Sequence, residues 1–369
     1  MHKNTTFCIE VGAIVELTYL DYLFLDIFSM KEPRKINSLY HILSGKRTVS
    51  VMLQAIRYQL APYYGLLGKL KRDSFENKLN YFEQVGLLTS TTDGLLLTQT
   101  GQNLCQDFFR DHTRIIESGQ MRHALILPQF KSRFLFLIQV SSESAHKNNH
   151  YVPLQLRLTE QSWLKSYIKE QQLEKDVLAK KLGHELLRLL EEVEGLQAGL
   201  FVCQFEGNKL SRKTANQLSL LTGLEETEIL MAWHQDWLRL MDAVSLKEHS
   251  FPLIFHIYQQ LSLEGRLCPP STRDTYVLWM AGHPLDRIAH MRDLKASTIN
   301  DHLSEIAILY RHFPFDKILT AEMMTFVAQA NSEGLALDHQ AIQSHFPKIS
   351  FFENRLMQIM NGGGLVWKN

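Results

Sequence analysis

Four cysteines in 369 residues are few, and they stand far apart at Cys8, Cys105, Cys203 and Cys268. No CxxC pair occurs, so a zinc ribbon, a thioredoxin-type redox motif and a disulfide scaffold are all excluded as readings. Unremarkable reduced thiols are expected instead. Charge of one sign is also missing: 39 Lys and Arg balance 39 Asp and Glu. No field of the whole molecule therefore attracts nucleic acid or an anionic membrane, and any electrostatic footprint has to be local. Long hydrophobic runs are absent as well. The greasiest stretch, "RFLFLIQV" at 133–140, is too short to span a bilayer. Glu10, Glu16, Asp21 and Asp26 interrupt what would be the apolar core of a secretion signal, which makes the cytoplasm the expected location.

Catalytic signatures are equally scarce. There is no GxSxG, HExxH or GxGxxG, and "SGKRT" at 44–48 lacks the upstream glycine of a phosphate-binding loop. His146 and His150 stand four apart in the polar stretch "SSESAHKNNHY", a spacing that a metal could use. With no helix to fix them and no further ligands, solvated loop histidines are the better reading. No enzyme activity, metal or cofactor is expected.

What is present is helical pattern. At 45% hydrophobic and 21% charged, the chain has the composition of a globular protein, and its length calls for two or three domains. Residues 9–29 space Leu17, Leu20, Tyr22, Leu23, Leu25 and Phe28 as one or two core helices. Helical spacing continues through "INSLYHIL" and "SVMLQAIRYQL". In "RDSFENKLNYFEQVGLLTSTTDGLLLTQTGQNL", residues 72–104, Asp73 or Ser74 can cap a helix whose Phe75, Leu79, Phe82 and Val85 share a face, with Gly86 as its stop. Leu87–Ser90 and Leu95–Thr98 then flank Thr91-Thr92-Asp93-Gly94, whose Asp-Gly step between apolar runs is a hairpin signal. Helix followed by hairpin is how a winged helix ends.

Beyond the polar stretch, Thr159 to Leu196 reads as one long helical pattern. Residues 209–239 outline two helices about Gly223. Glu225, Glu226 and Glu228 favour the start of the second helix but would repel phosphates, so packing or protein docking is expected there. Cys268-Pro269-Pro270 marks a boundary. The architecture expected is thus mainly α: a winged-helix-like domain with a short β-hairpin at 1–140, a loop or linker at 141–158, a helical middle at 159–268, a helix-turn-helix domain with trailing helices at 269–361, and a flexible tail at 362–369.

The most specific motif lies in "STRDTYVLWMAGHPLDRIAHMRDLKASTINDHLSEIAIL", residues 271–309. Ser271 can cap a first helix, and Gly282 and Pro284 separate it from a second. Ala289 supplies the small residue where two helices cross, and Leu294 and Ile299 are the apolar positions around the turn. Asp293 stands where glycine often makes the turn. Ile288, Ala289, Arg292, Leu294, Ser297, Thr298, Ile299, His302 and Leu303 form a run that resembles the helix-turn-helix module at the C-terminus of many RecQ-type helicases. The same module ends the stand-alone YpbB-like proteins, which this chain resembles in order and length. That resemblance implies a protein that assists a RecQ-like helicase without being one, with single-strand-binding protein as a further partner.

In such a module the start of the third helix faces bases, and here it offers Lys295, Ser297, Thr298 and Asn300, with Arg292 just before it. Yet five bases and five acids cancel between Ser271 and Arg311, and Asp301 and Glu305 sit on the reading helix, which favours packing or partner docking over tight DNA binding. The region from Phe28 to Lys78 has better electrostatics. Ten bases, among them Lys69, Lys71, Arg72 and Lys78, face three acids. Tyr40, Tyr58, Tyr63 and Tyr64 lie between them. Either the tyrosines stack on unpaired bases beside a basic face, or they are core and the bases an ordinary solvated surface. The function expected is a non-catalytic DNA-transaction accessory with weak, sequence-independent DNA contact. The alternatives are a helix-turn-helix transcription regulator and a pure protein–protein adaptor.

Overall fold

A computed structural model of the chain describes residues 6–8, 14–115, 121–262, 267–310 and 312–366. The fold is mainly α, with two small antiparallel β-ribbons among the described residues. It divides into two compact units that do not follow the chain in order. The first comprises 1–40, 69–118 and 127–260; the second comprises 41–68, 119–126 and 261–369. The linear boundaries expected from composition do not coincide with these units.

In the first unit, β1 (Thr6–Cys8) pairs with β2 (Ile14–Glu16), so the amino-terminal stretch is not wholly helical as its spacing implied. Helix α1 (Tyr19–Asp26) follows, opened by a capping box in which Thr18 and Asp21 satisfy each other's backbone N–H. Helix α4 (Arg72–Gln84) buries Phe75, Leu79 and Phe82, the spacing that predicted it. Each such side chain contributes about 1.5–3 kcal/mol relative to exposure. β3 (Leu88–Thr91) and β4 (Gly94–Leu97) form the expected wing, with Ser90 opposite Leu95 and the tip at Thr92-Asp93, the middle of the expected four-residue turn. Arg34 exchanges two backbone hydrogen bonds with Leu95, at 2.9 and 3.0 Å, and so adds a third rung to the ribbon. Gly94, at φ +147, backs onto this rung, where a Cβ would lie 2.6 Å from the Arg34 carbonyl oxygen. Helix α5 (Gln99–Asp111) closes this part by stacking Phe108 on Tyr22.

The rest of the first unit is a helical layer. Helix α6 (Met121–Ala145) runs on into the expected polar loop, taking up "SSESA". The single pattern from Thr159 resolves into α7 (Leu158–Glu170) and α8 (Lys175–Glu192), broken where Gln172 adopts φ +51. After the short α9 (Ala198–Phe201), α10 (Ala215–Thr222) and α11 (Glu226–Leu246) form the two-helix unit anticipated about Gly223, around Ala215, Leu218, Ile229 and Trp233. Helix α12 (Pro252–Ser262) is capped from α8, since Glu185 accepts the N–H groups of Leu253 and Ile254.

In the second unit, α3 (Val49–Arg57) packs against helices far along the chain. These are α15 (Ala296–Leu309) and, after α16 (Ala321–Ser332) and α17 (His339–His345), α18 (Phe351–Val366). Helix α2 (Ile36–Ser44) leads into this segment. The glycines expected to open a flexible tail lie inside α18. A Cβ on Gly362 would sit 2.6 Å from Cγ2 of Ile56, so the bare backbone is what permits this approach. Residues 367–369 lie outside those described. No described helix is long and apolar enough to cross a membrane.

Candidate nucleic-acid interface

Three helices of the second unit build the helix-turn-helix: α13 (Pro270–Met280), α14 (Leu285–Met291) and α15. Ile288, Ile299, Leu303 and Ile306 are fully buried, which fixes α15 against the two preceding helices. Asp293 makes the turn in the left-handed conformation, φ +49. Aspartate tolerates that region better than most non-glycine residues, which explains how the turn closes without glycine.

Arg292 is committed to holding this turn. Its guanidinium donates to the Ser271 carbonyl at 2.6 Å, to the Ser271 hydroxyl at 3.0 Å and to the Thr275 hydroxyl. The Thr275 hydroxyl in turn lies 2.7 Å from Nδ1 of His302. Arg292 thus lies beside this contact, where its charge disfavours a second positive charge on the ring. Burial, followed by the Arg292 charge, accordingly holds the His302 imidazole below its usual range.

Helix α15 presents Lys295 as its N-cap and Ser297 beside it, both exposed, with Thr298 and Asn300 half-buried next to them. The two acids expected to oppose phosphate here are not bare. Glu305 points inward, where it accepts from Arg47 at 2.9–3.0 Å and from the Thr272 hydroxyl at 3.0 Å. Arg47 also donates to the Leu267 carbonyl. Asp301 stays exposed but accepts from Arg355 at 2.5 Å, whose guanidinium also stacks on Phe351. Neither Arg47 nor Arg355 was singled out from the sequence. They lie 258 and 54 residues from their partners, beyond any local spacing signal.

The amino-terminal candidates fare unevenly. Lys69, Lys71 and Arg72 are exposed around the start of α4, Arg72 pairing with Glu76 at 2.7 Å and lying over the Tyr40 ring. Lys78 is bound to the buried carboxylate of Asp21 at 2.9 Å, which makes it a structural contact. Tyr58, Tyr63 and Tyr64 are core, so the base-stacking reading fails for them; Tyr40 is half-buried. Lys46, Arg47 and Arg57 belong to the second unit. That unit holds fourteen Lys and Arg against eleven Asp and Glu, a surplus of three, and the first unit has the matching deficit. Positive charge is therefore not concentrated in the amino-terminal third, as the linear count implied. It favours the unit with the C-terminal helix-turn-helix.

Cys105 and Cys268 are buried, and burial pushes both thiols up to about 12, so neither offers a thiolate. Among the described residues no group of three or more His, Cys, Asp or Glu is placed to hold a metal ion.

Residues 271–358 match the family described as "Helix-turn-helix domain". The chain is also similar to Protein YpbB of Bacillus subtilis (strain 168), at 24% identity over 323 residues, which is 85% of this chain and 89% of that protein. No solved structure matches it. A helix-turn-helix whose third helix exposes its first turns and buries the rest, set in a mainly helical chain, points to a DNA-related accessory role and fits a non-catalytic protein. The chain is thus similar to Protein YpbB along most of its length and carries a helix-turn-helix domain at its C-terminal end.

Proposed function

We propose that this protein is a non-catalytic accessory of DNA transactions in replication or repair, acting in the cytoplasm, that contacts DNA weakly and without regard to sequence while tethering a RecQ-like helicase. The observation that carries the DNA half is the neutralisation of α15. With Glu305 turned onto Arg47 and Asp301 paired with Arg355, the exposed start of the helix offers Lys295, Ser297, Thr298 and Asn300 to a phosphate backbone. Lys69, Lys71 and Arg72 form a second small basic site at the start of α4. Neither site has charge enough for tight binding, but two modest contacts on one chain raise the effective concentration of each. The helicase, and single-strand-binding protein beside it, are proposed from the similarity to the YpbB-like proteins.

A salt titration on random single-stranded and duplex DNA tests the DNA half. Tethering gives weak, salt-steep, sequence-blind binding that Lys71→Glu with Arg72→Glu and, separately, Lys295→Glu each weaken. A strongly preferred duplex site, lost in Asn300→Ala, would instead mark a transcription regulator. No binding even at low salt would leave a protein adaptor.

A further inference from the structure

The middle helix-turn-helix, α10 and α11, is preceded by a turn whose charge has one sign. From Gly207 to Leu224 the sequence holds Lys209, Arg212 and Lys213 and no acid. This turn is well fixed. Gly207 and Leu210 exchange backbone hydrogen bonds of 3.0 Å each, and the Lys213 N–H donates to the Cys203 carbonyl at 2.8 Å. The Asn208 N–H donates to the Ser142 hydroxyl at 3.1 Å. Lys209 is held at φ +58, a conformation that lysine seldom adopts. Every residue from Lys209 to Thr214 is exposed, and Thr214 then opens α10 with a capping box.

Sequence alone argued against phosphate at this unit because of Glu225, Glu226 and Glu228. The fold engages two of the three in hydrogen bonds, and both keep their charge. Glu225 accepts the Tyr19 N–H at 3.0 Å, and the buried Glu228 accepts the Thr113 N–H at 3.0 Å and contacts His112 at 2.9 Å. Glu226 remains exposed on α11, and Glu206 lies 3.4 Å from Arg212. Counting solvent-facing side chains, Lys209, Arg212 and Lys213 outnumber Glu206 and Glu226 by one, while the buried Glu143 lies beneath Asn208. A preorganised turn presents that charge without having to order itself first.

We propose that the Lys209–Lys213 turn is a contact for the phosphate backbone of nucleic acid, on the middle helix-turn-helix and additional to the C-terminal one. The exposed Ser211 and Asn216 beside the bases are donors of the kind that bond phosphate oxygens without base readout, and the neighbouring two-helix outline resembles that of the C-terminal helix-turn-helix, which together point to nucleic acid. The inference rests on the reading that this protein contacts DNA, and its test separates the two.

The full chain, the triple variant Lys209→Glu, Arg212→Glu, Lys213→Glu and the milder triple glutamine variant are titrated against labelled random duplex and single-stranded oligonucleotides, and against poly-glutamate, across a salt series. Thermal unfolding of each variant is recorded alongside. The expected result is unchanged unfolding, affinity at low salt reduced by about tenfold or more in the glutamate variant and less in the glutamine variant, and a salt dependence shallower by about two to three counterions. Equal binding by all three proteins would overturn this site and leave the DNA reading standing, and loss of poly-glutamate binding alone would reassign the turn to an acidic protein. Failure of the unaltered chain to bind either oligonucleotide would overturn both.

Discussion

Asp293 shows how a single residue can break a local rule and keep the fold. Its φ of +49 closes the reading turn, and only residues that accept the left-handed region suit it. Asp293→Ala is expected to destabilise the second unit by about 1 kcal/mol, whereas Asp293→Gly leaves it unchanged or slightly more stable, as read by chemical denaturation. The departure was visible in the sequence, but its consequence needed the backbone angle. His302 supplies a second residue-scale expectation. Its folded pKa is lowered, so the unfolded chain takes up a proton first as pH falls. Stability is therefore retained above about 6.5 and declines below it, through the folded value. His302→Gln should flatten that decline in unfolding curves across the acid range, and an unchanged pH profile would show that the ring is not buried as described. The cysteines add a third. With thiols raised to about 12, Cys105 and Cys268 should resist thiol-reactive labelling at mildly alkaline pH in the folded chain and react only on unfolding.

At the scale of elements, much was legible because local chemistry decided it. The helix over α4 followed from the spacing of Phe75, Leu79 and Phe82, and the wing from an Asp-Gly step between apolar runs. The break between α7 and α8 was not legible, because neither proline nor glycine marks it and the apolar period continues across. The wing register was legible, but its third rung was not, because it comes from Arg34, sixty residues earlier and without any hairpin signal. This rung carries an expectation of its own. Gly94→Ala places a Cβ against the Arg34 carbonyl at a strained φ, and should destabilise the first unit by about 2–3 kcal/mol. An alanine variant as stable as the parent would contradict the three-rung ribbon.

For the whole molecule, the lesson is that charge counted along a chain is not charge presented by a fold. Ten bases over residues 28–78 looked like one face, but the fold distributes them over two units, ties Lys78 and Arg47 to buried carboxylates, and places three of the four intervening tyrosines in the core. The helix-turn-helix motif was legible because its turn and core positions are close in sequence. Its supporting helix α3 was not, since nothing local links residues 49–57 to α15 and α18. A fragment of residues 269–361 lacks α3, whose Met52, Ala55 and Ile56 are buried in the intact chain, and should show no cooperative unfolding by calorimetry. A sharp transition in that fragment would show that the C-terminal domain stands alone.

The central claim is that one chain holds DNA and a helicase at the same time. Recovery of partners on the tagged full-length chain from a native extract, with and without nuclease, tests it most directly. A RecQ-like helicase retained after nuclease treatment, with random DNA recovered only when nuclease is omitted, is the result expected. Recovery of no helicase under either condition would contradict the account.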